Sequence, residues 1–333
     1  MKIAVIGAGA VGSVIGGLLS KAGEDVTLIG RKTHVDAIKA NGLVLDMGSG
    51  EIVIEVKAAE NLDFRPDLAL LTVKSQDVVS SLRKAKPYLT GVPVVTLQNG
   101  VQSDDLAAGI LGKENVISGV VTANNQFLEP GKVSYSNPFG ITALLIGEPW
   151  GAKGSRLPGL SALFNKAIPT AISEDIRGAH WTKLIWNLQT AVPAVTGLSY
   201  QDSYNYPKVR ELTINLVKEG LNVVKAAGIK TADVPGFPME PIETMARVSL
   251  PIASSLLKKK AESLGKIPVL GSTLQSIRRG TSTEVDYLNG EIVNLGKKVG
   301  IPTPANSLMV ELVHQVETTG KFLTVDELTQ RLS

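Results

Sequence analysis

The chain contains no cysteine. Disulfides, thiolate metal centres and cysteine nucleophiles are excluded together. Histidine is nearly as scarce. His34, His180 and His314 stand far apart and offer no metal-ligand spacing. Any acid–base chemistry must fall to lysine, glutamate, aspartate, tyrosine or a lone histidine. No apolar run approaches the ~18 residues of a membrane span. The apolar pattern starts at Ile3, so no signal peptide and a cytoplasmic location are expected. Neither sign of charge dominates: 34 Lys and Arg face 31 Asp and Glu. That balance gives no footprint for nucleic acid, and Lys258-Lys259-Lys260 and Arg278-Arg279 read as solvated helix faces.

What is present is concentrated at the start. Ile3 to Ile6 reads as a buried parallel strand and runs into Gly7-Ala8-Gly9-Ala10-Val11-Gly12, a Gly-x-Gly-x-x-Gly turn. Ala10 to Ala22 then reads as a helix, and Asp25 to Ile29 as a second strand. Gly7 allows the tight turn, Gly9 lets backbone approach a pyrophosphate, and Gly12 lets helix and strand pack closely. The helix N-terminus adds N–H groups and the positive end of its dipole. In this context the motif predicts a dinucleotide site. Sites that prefer NADH carry an acid about 20 residues past the glycines. Here the strand ends in Ile29-Gly30-Arg31-Lys32, without a carboxylate. Glu24 and Asp25 precede the strand and belong at its far end. Arg31 offers a planar fork for a phosphate dianion, which favours NADPH/NADP+.

At 333 residues two domains are expected, with residues 1–173 as the cofactor domain and 174–333 as a helical substrate domain. The fold class is α/β: an N-terminal Rossmann-type doubly wound sheet followed by a mostly α-helical domain. In the first part, a helix is predicted over 33–40 and a hairpin over 42–57 turning at Gly48-Ser49-Gly50. Strands are predicted over 68–73, 92–97, 116–122, 132–136 and 141–146, with a helix over 76–88. The later strands extend the end of the sheet. A Gly- and Pro-rich loop over 148–159, a short helix and a strand over 168–172 follow. Helices are then predicted over 175–192, 206–227, 240–260, 271–279, 282–300 and 305–318. A sheet joined to a helical domain leaves a cleft, a favoured place for a site.

Four segments carry candidate chemistry. The helix from Asp175 is apolar around most of its circumference, yet His180, Lys183 and Asn187 share one face. A lysine there either faces a site or snorkels to solvent. Thr281-Ser282-Thr283-Glu284 precedes an apolar helical stripe. Glu284 is thus either a site carboxylate or the far member of a capping box begun by Thr281. Val73-Lys74-Ser75-Gln76 and Leu97-Gln98-Asn99-Gly100 end strands, where open α/β sheets bind ligands. A turn explains Asn99-Gly100 equally well.

Taken together these segments resemble the ketopantoate reductase (2-dehydropantoate 2-reductase) family. The resemblance runs nearly end to end. It rests on the Gly7 to Gly12 opening, Thr72-Val73-Lys74-Ser75-Gln76, Gln98-Asn99-Gly100, Trp181-Thr182-Lys183-Leu184 with Asn187, and Thr283-Glu284-Val285-Asp286-Tyr287-Leu288-Asn289-Gly290. It implies that Lys183 is the general acid and that Glu284 holds the substrate hydroxyl. Lys74 and Asn99 would border the nicotinamide and the cleft, and Asn99 would also bind the substrate. Asn187 would contact the substrate too, and Ser272 is a retained substrate-site position. The implied activity is NADPH-dependent reduction of ketopantoate to pantoate, on the route to pantothenate.

Two positions depart from the family pattern. Ala191 stands where an asparagine is usual, and Ser276 where an acid is. The segment 230–270 is also long. These changes leave open a related reductase of another 2-oxo acid or an opine-type substrate. A non-catalytic NADPH-binding regulator is a third reading, against which the retention of both Lys183 and Glu284 argues. The expected partners are a small 2-oxo acid and, as an open alternative, a second copy of the chain in a homodimer; neither nucleic acid nor membrane is expected.

Overall fold

The computed structural model describes residues 1–137, 140–151, 156–265 and 268–332. It resolves into two compact units: residues 1–180 with 234–236, and residues 181–233 with 237–333.

The first unit alternates strands and helices. In order they are β1 (Lys2–Ile6), α1 (Ala10–Lys21), β2 (Asp25–Ile29), α2 (Lys32–Asn41), β3 (Leu43–Asp46), β4 (Glu51–Ile54), β5 (Lys57–Ala59) and β6 (Leu68–Leu71). There follow α3 (Val78–Leu89), β7 (Val94–Thr96), α4 (Ser103–Leu111), β8 (Val116–Val121), β9 (Asn124–Glu129), β10 (Lys132–Ser136), β11 (Leu144–Gly147), α5 (Arg156–Asn165) and β12 (Thr170–Ile172). Eight strands form one sheet in the order β12-β11-β8-β7-β6-β1-β2-β5. All its pairings are parallel except that of β11 with β8. Alternate strand residues feed two cores. Ile3, Val5, Val26, Leu28, Leu68 and Leu70 pack with Val14, Ile15 and Leu19 of α1 and Phe164 of α5. Ala4, Ile6, Ala69 and Leu71 pack with Val78, Leu82 and Leu89 of α3. Burial on both faces is what makes these strands read as continuous apolar runs. Each buried Leu or Ile adds roughly 1.5–3 kcal/mol of burial energy. The chain leaves β1 toward β2 on one side and returns to β6 on the other. The switch point therefore lies between β1 and β6, where such sheets bind ligands.

Three expectations for this unit change. The predicted hairpin ends at Ile54; Lys57 opens β5, which joins the large sheet beside β2. The strand over 132–136 does not extend that sheet. As β10 it pairs with β3 and with β9 in a separate four-stranded sheet, β4-β3-β10-β9. The polar Asn124–Glu129 strand was not visible as an alternation, because only its pairing with β10 recruits it. The loop over 148–159 gives way to α5 already at Arg156, and its residues 152–155 lie outside the described residues.

Helix α6 (Ile176–Asn187) carries the chain into the second unit. The further helices are α7 (Ala191–Thr196), α8 (Tyr200–Ser203), α9 (Pro207–Ala226), α10 (Met239–Arg247), α11 (Leu250–Ser263), α12 (Ser272–Arg278), α13 (Asn289–Val299), α14 (Pro304–Thr319) and α15 (Val325–Gln330). The predicted 175–192 helix stops at Asn187, turns through a 3₁₀ segment and restarts as α7. Pro193 has no N–H for the carbonyl of Gln189, and the Thr190 hydroxyl takes the Asn187 carbonyl at 2.8 Å. The predicted 240–260 helix divides into α10 and α11 for a similar reason, with Pro251 seated in the first turn of α11. No described helix is long and apolar enough to cross a membrane.

Candidate active site

The glycine turn is held by contacts only glycine permits. Gly7 has φ +110°, and a Cβ there would lie 2.5 Å from the Val73 nitrogen. A Cβ on Gly12 would lie 2.4 Å from both the Gly7 carbonyl oxygen and Thr72 Oγ1. A Cβ on Gly9 would meet only the Gly7 oxygen, at 4.0 Å, so the backbone there is open to an approaching group. Gly9 caps α1 without a side-chain hydrogen bond, and no acid occupies the first turn. The Ala10, Val11 and Gly12 N–H groups thus meet no capping side chain, and the positive dipole end is uncompensated. Ala8 lies buried beside them, with its N–H on the Ile29 carbonyl at 2.8 Å. An open glycine, a helix start free of side-chain caps and a first turn without an acid fit a dinucleotide pyrophosphate.

Two neighbouring strand ends complete this rim. The Thr72 hydroxyl donates to the Gly7 carbonyl at 2.7 Å, which ties β6 to the glycine turn. The Gln98 amide donates to the Leu71 and Val73 carbonyls at 2.8 and 3.1 Å. The Ser75 hydroxyl donates to the Asn99 carbonyl at 2.9 Å. These bonds bring together half-buried Lys74 and Asn99 at the ends of β6 and β7, next to the switch point. Gly100 has φ +91°, so the turn reading of Asn99-Gly100 also holds. Gln98, named in the sequence motif without a role of its own, locks the two ends; one of its polar atoms, Oε1, is buried without a hydrogen bond.

Arg31 stands at the C-terminal end of β2 as the N-cap residue of α2 and is exposed. Lys32 is engaged by Asp36 at 2.8 Å, a contact that raises its pKa. Glu60, just past β5 and one strand over, adds a weaker pull on Lys32. It was missed because strand order is not visible in the sequence.

The second unit assembles the remaining candidates from separate segments. Lys183 lies half-buried on α6. Burial pulls its ammonium pKa down to about 8, against the Glu284 carboxylate, which favours the charged form. Asn187 ends α6, and its carbonyl accepts the Thr190 hydroxyl. Thr190 Oγ1 and Thr273 Oγ1 lie 2.9 Å apart, which ties the start of α12, and with it exposed Ser272, to the end of α6. The Asn289 amide donates to the Leu188 carbonyl at 3.1 Å and draws the Glu284 segment to the same place.

Of the two readings of Glu284, the capping box with Thr281 does not form. The Thr281 hydroxyl donates to the Ser276 carbonyl at 3.1 Å. Glu284 instead precedes a 3₁₀ turn over Val285–Tyr287 without a side-chain cap bond, and α13 starts only at Asn289. A capping box does form at Thr324 with Glu327. The polar stripe of α6 also divides. His180 is buried in the first unit, with Nε2 2.8 Å from Ser118 Oγ, and Ser118 donates to Asp104. Lys260 is not simply solvated either: its ammonium lies 3.8 Å over the Trp186 ring, and burial lowers its pKa to about 8.

Residues 3–148 match the family model described as Ketopantoate reductase PanE/ApbA, and residues 175–317 match its C-terminal counterpart. The chain belongs to the ketopantoate reductase family. Its members are oxidoreductases acting on CH–OH groups, and this chain is one of them. The 2-dehydropantoate 2-reductase of Pyrococcus horikoshii is 32% identical, over 96% of this chain and 99% of that protein. A PanE/ApbA family ketopantoate reductase from Ralstonia eutropha JMP134 superposes with a TM-score of 0.80 at 33% identity, over 96% of this chain and 99% of that one. A D-mandelate dehydrogenase with NADH and anilino(oxo)acetate shares the fold, with a TM-score of 0.80 at 22% identity, over 96% and 99% of the two chains.

Proposed function

We propose that this family member reduces a 2-oxo acid to a 2-hydroxy acid with NADPH, and that the substrate is 2-dehydropantoate, giving pantoate for pantothenate synthesis. The observation that carries the reading is the Lys183–Glu284 pair. It combines an amine brought to about 8 by burial with a carboxylate that opposes the loss of its proton. When bound, the nicotinamide would supply the hydride for the carbonyl carbon at C2. Negative charge then builds on the carbonyl oxygen. Lys183 Nζ stabilises that oxygen and gives it a proton, a role suited to a group poised near working pH. Glu284 accepts the substrate hydroxyl and keeps the amine charged. Asn187 and Ser272 orient the substrate, and Asn99 is assigned to it as well. Lys74 borders the nicotinamide, the Gly7–Gly12 turn takes the pyrophosphate, and Arg31 takes the 2′-phosphate.

A second 2-oxo acid is favoured by one observation. Ala191 is wholly buried in α7 and supplies no polar group at a position where the family usually has asparagine. The test is NADPH absorbance with 2-dehydropantoate beside a panel of 2-oxo acids. Fastest turnover with 2-dehydropantoate is expected. Faster turnover of a bulkier acid would move the assignment to the second reading. No oxidation with any of them would contradict both and leave a non-catalytic NADPH binder.

A further inference from the structure

Glu284 sits outside regular helix, at φ −107° and ψ 23°, and its side chain makes no cap bond. The residue before it and the residue two after it are gripped from α14. The Thr283 N–H donates to Glu317 Oε1 at 2.5 Å. Glu317 Oε2 lies 2.8 Å from His314 Nδ1, and His314 Nε2 lies 3.0 Å from Asp286 Oδ1. One chain of contacts thus runs from residue 283 through Glu317 and His314 to residue 286, with Glu284 bracketed between. Both ring nitrogens face carboxylate oxygens. Either neutral tautomer would set a lone pair against one of them, so the geometry favours the doubly donating imidazolium. Burial works against that charge, but Asp286 and Glu317 outweigh it and raise the His314 pKa. Burial likewise disfavours the Glu317 carboxylate, yet the Thr283 bonds and His314 bring its pKa below the usual range.

The gripping helix is itself well anchored. Leu312, Val313 and Val316 of α14 are wholly buried. Its first turn is held by Glu219, which accepts from the Ala305 and Asn306 N–H groups at 2.8 and 2.9 Å. Asn306 Oδ1 accepts from the Asn289 amide at 3.0 Å, which links α14 to the start of α13. A segment held within itself by only a single 3₁₀ turn is thereby fixed to a rigid element. A site carboxylate requires such support, because a displacement of about 1 Å costs up to ~10²-fold in rate.

We propose that Glu317 and His314 are positioning residues that hold the Thr283–Asp286 segment so that Glu284 meets the substrate. The proposal rests on the role given above to Glu284. The experiment compares Glu317→Ala, Glu317→Gln, His314→Gln and Glu284→Gln for kcat and KM with 2-dehydropantoate, NADPH affinity by fluorescence, and thermal midpoint. Glu317→Ala should lower kcat/KM ~10- to 10²-fold, chiefly through substrate KM, with NADPH affinity unchanged. Glu317→Gln should recover much of the loss, because its amide oxygen still accepts the Thr283 N–H. His314→Gln should fall between wild type and Glu317→Ala. A purely structural role would lower the thermal midpoint and give no selective KM effect and no rescue by glutamine; that pattern would overturn the proposal. Wild-type kinetics in Glu317→Ala beside an impaired Glu284→Gln would overturn it while leaving Glu284's role intact. Wild-type kinetics in Glu284→Gln would overturn both. If Glu317→Ala does not fold, half-exposed His314 decides: unchanged kcat/KM in His314→Gln would refute the clamp.

Discussion

The nucleotide rim of the first unit and the Lys183–Glu284 cluster of the second are built on different principles. The rim is made largely of backbone. Gly7, Gly9 and Gly12 shape it, and the Thr72, Ser75 and Gln98 side chains serve to lock strand ends together. The cluster is made of side chains. Lys183, Ser272 and Glu284 come from three segments and are held by hydrogen bonds through Thr190, Asn289, His314 and Glu317. A backbone site tolerates changes of side chain but not added volume. A side-chain site tolerates volume better than the loss of one charge.

Glu284→Gln is the sharpest way to break the second half of that contrast. It keeps size and one acceptor oxygen, and replaces the charge and the second oxygen with a neutral amide NH2. The expected loss is ~10²-fold in kcat/KM with an unchanged thermal midpoint, read on one preparation. Because no capping box forms at Glu284, full activity would leave the residue without a role in turnover. Next in size is Gly12→Ala in the rim. Its Cβ would press on the Gly7 carbonyl and on Thr72. A loss of about 3 kcal/mol is expected from overpacking, together with weakened NADPH binding. Calorimetry and cofactor titration would measure both, and a normal protein would refute the close-packing account. Arg31→Ala should weaken NADPH ~10-fold and leave NADH nearly unchanged. Equal loss for both cofactors would remove the phosphate role.

The smallest effect concerns His34, which braces α2 in the first unit. Its Nδ1 accepts the Gly131 N–H at 2.8 Å, so the ring is neutral and Nε2 faces Ser13 Oγ at 2.9 Å. Burial lowers its pKa to about 4. The unfolded chain takes up this proton near its ordinary value, about 6.5. Between these values the unfolded state binds more protons, so stability falls as pH drops. About 1 kcal/mol of loss by pH 5 is expected after allowance for screening. His34→Gln should flatten this part of the profile; an unchanged slope would assign it to other groups.

The contrast also explains what could be read from sequence. The rim was legible because its three glycines fall within six residues of one strand–turn–helix. Strand β2 was placed to the residue because its apolar run is short and bounded by Gly23 and Gly30. The second sheet was not legible, since β9 is polar and only its partner makes it a strand. The breaks at Asn187 and Val248 were signalled by Pro193 and Pro251, which the apolar periodicity obscured. In the cluster, Lys183 was visible as a lysine on an otherwise apolar helix. Its pairing with Glu284, about a hundred residues away, came only from the family resemblance. His314 carried a faint signal of its own, as one of three histidines and three residues before Glu317 on a helix.

The central claim is that Lys183 donates the proton. The direct test is the pH dependence of kcat/KM for NADPH-linked reduction of 2-dehydropantoate, wild type against Lys183→Ala. Below about 8 the wild-type amine is charged, and above it the proton is lost. The account predicts a wild-type rate that falls through an apparent pKa near 8, and a variant ~10²-fold slower or more, lacking that limb and still binding NADPH. A variant with near-normal turnover and the same alkaline limb would contradict it.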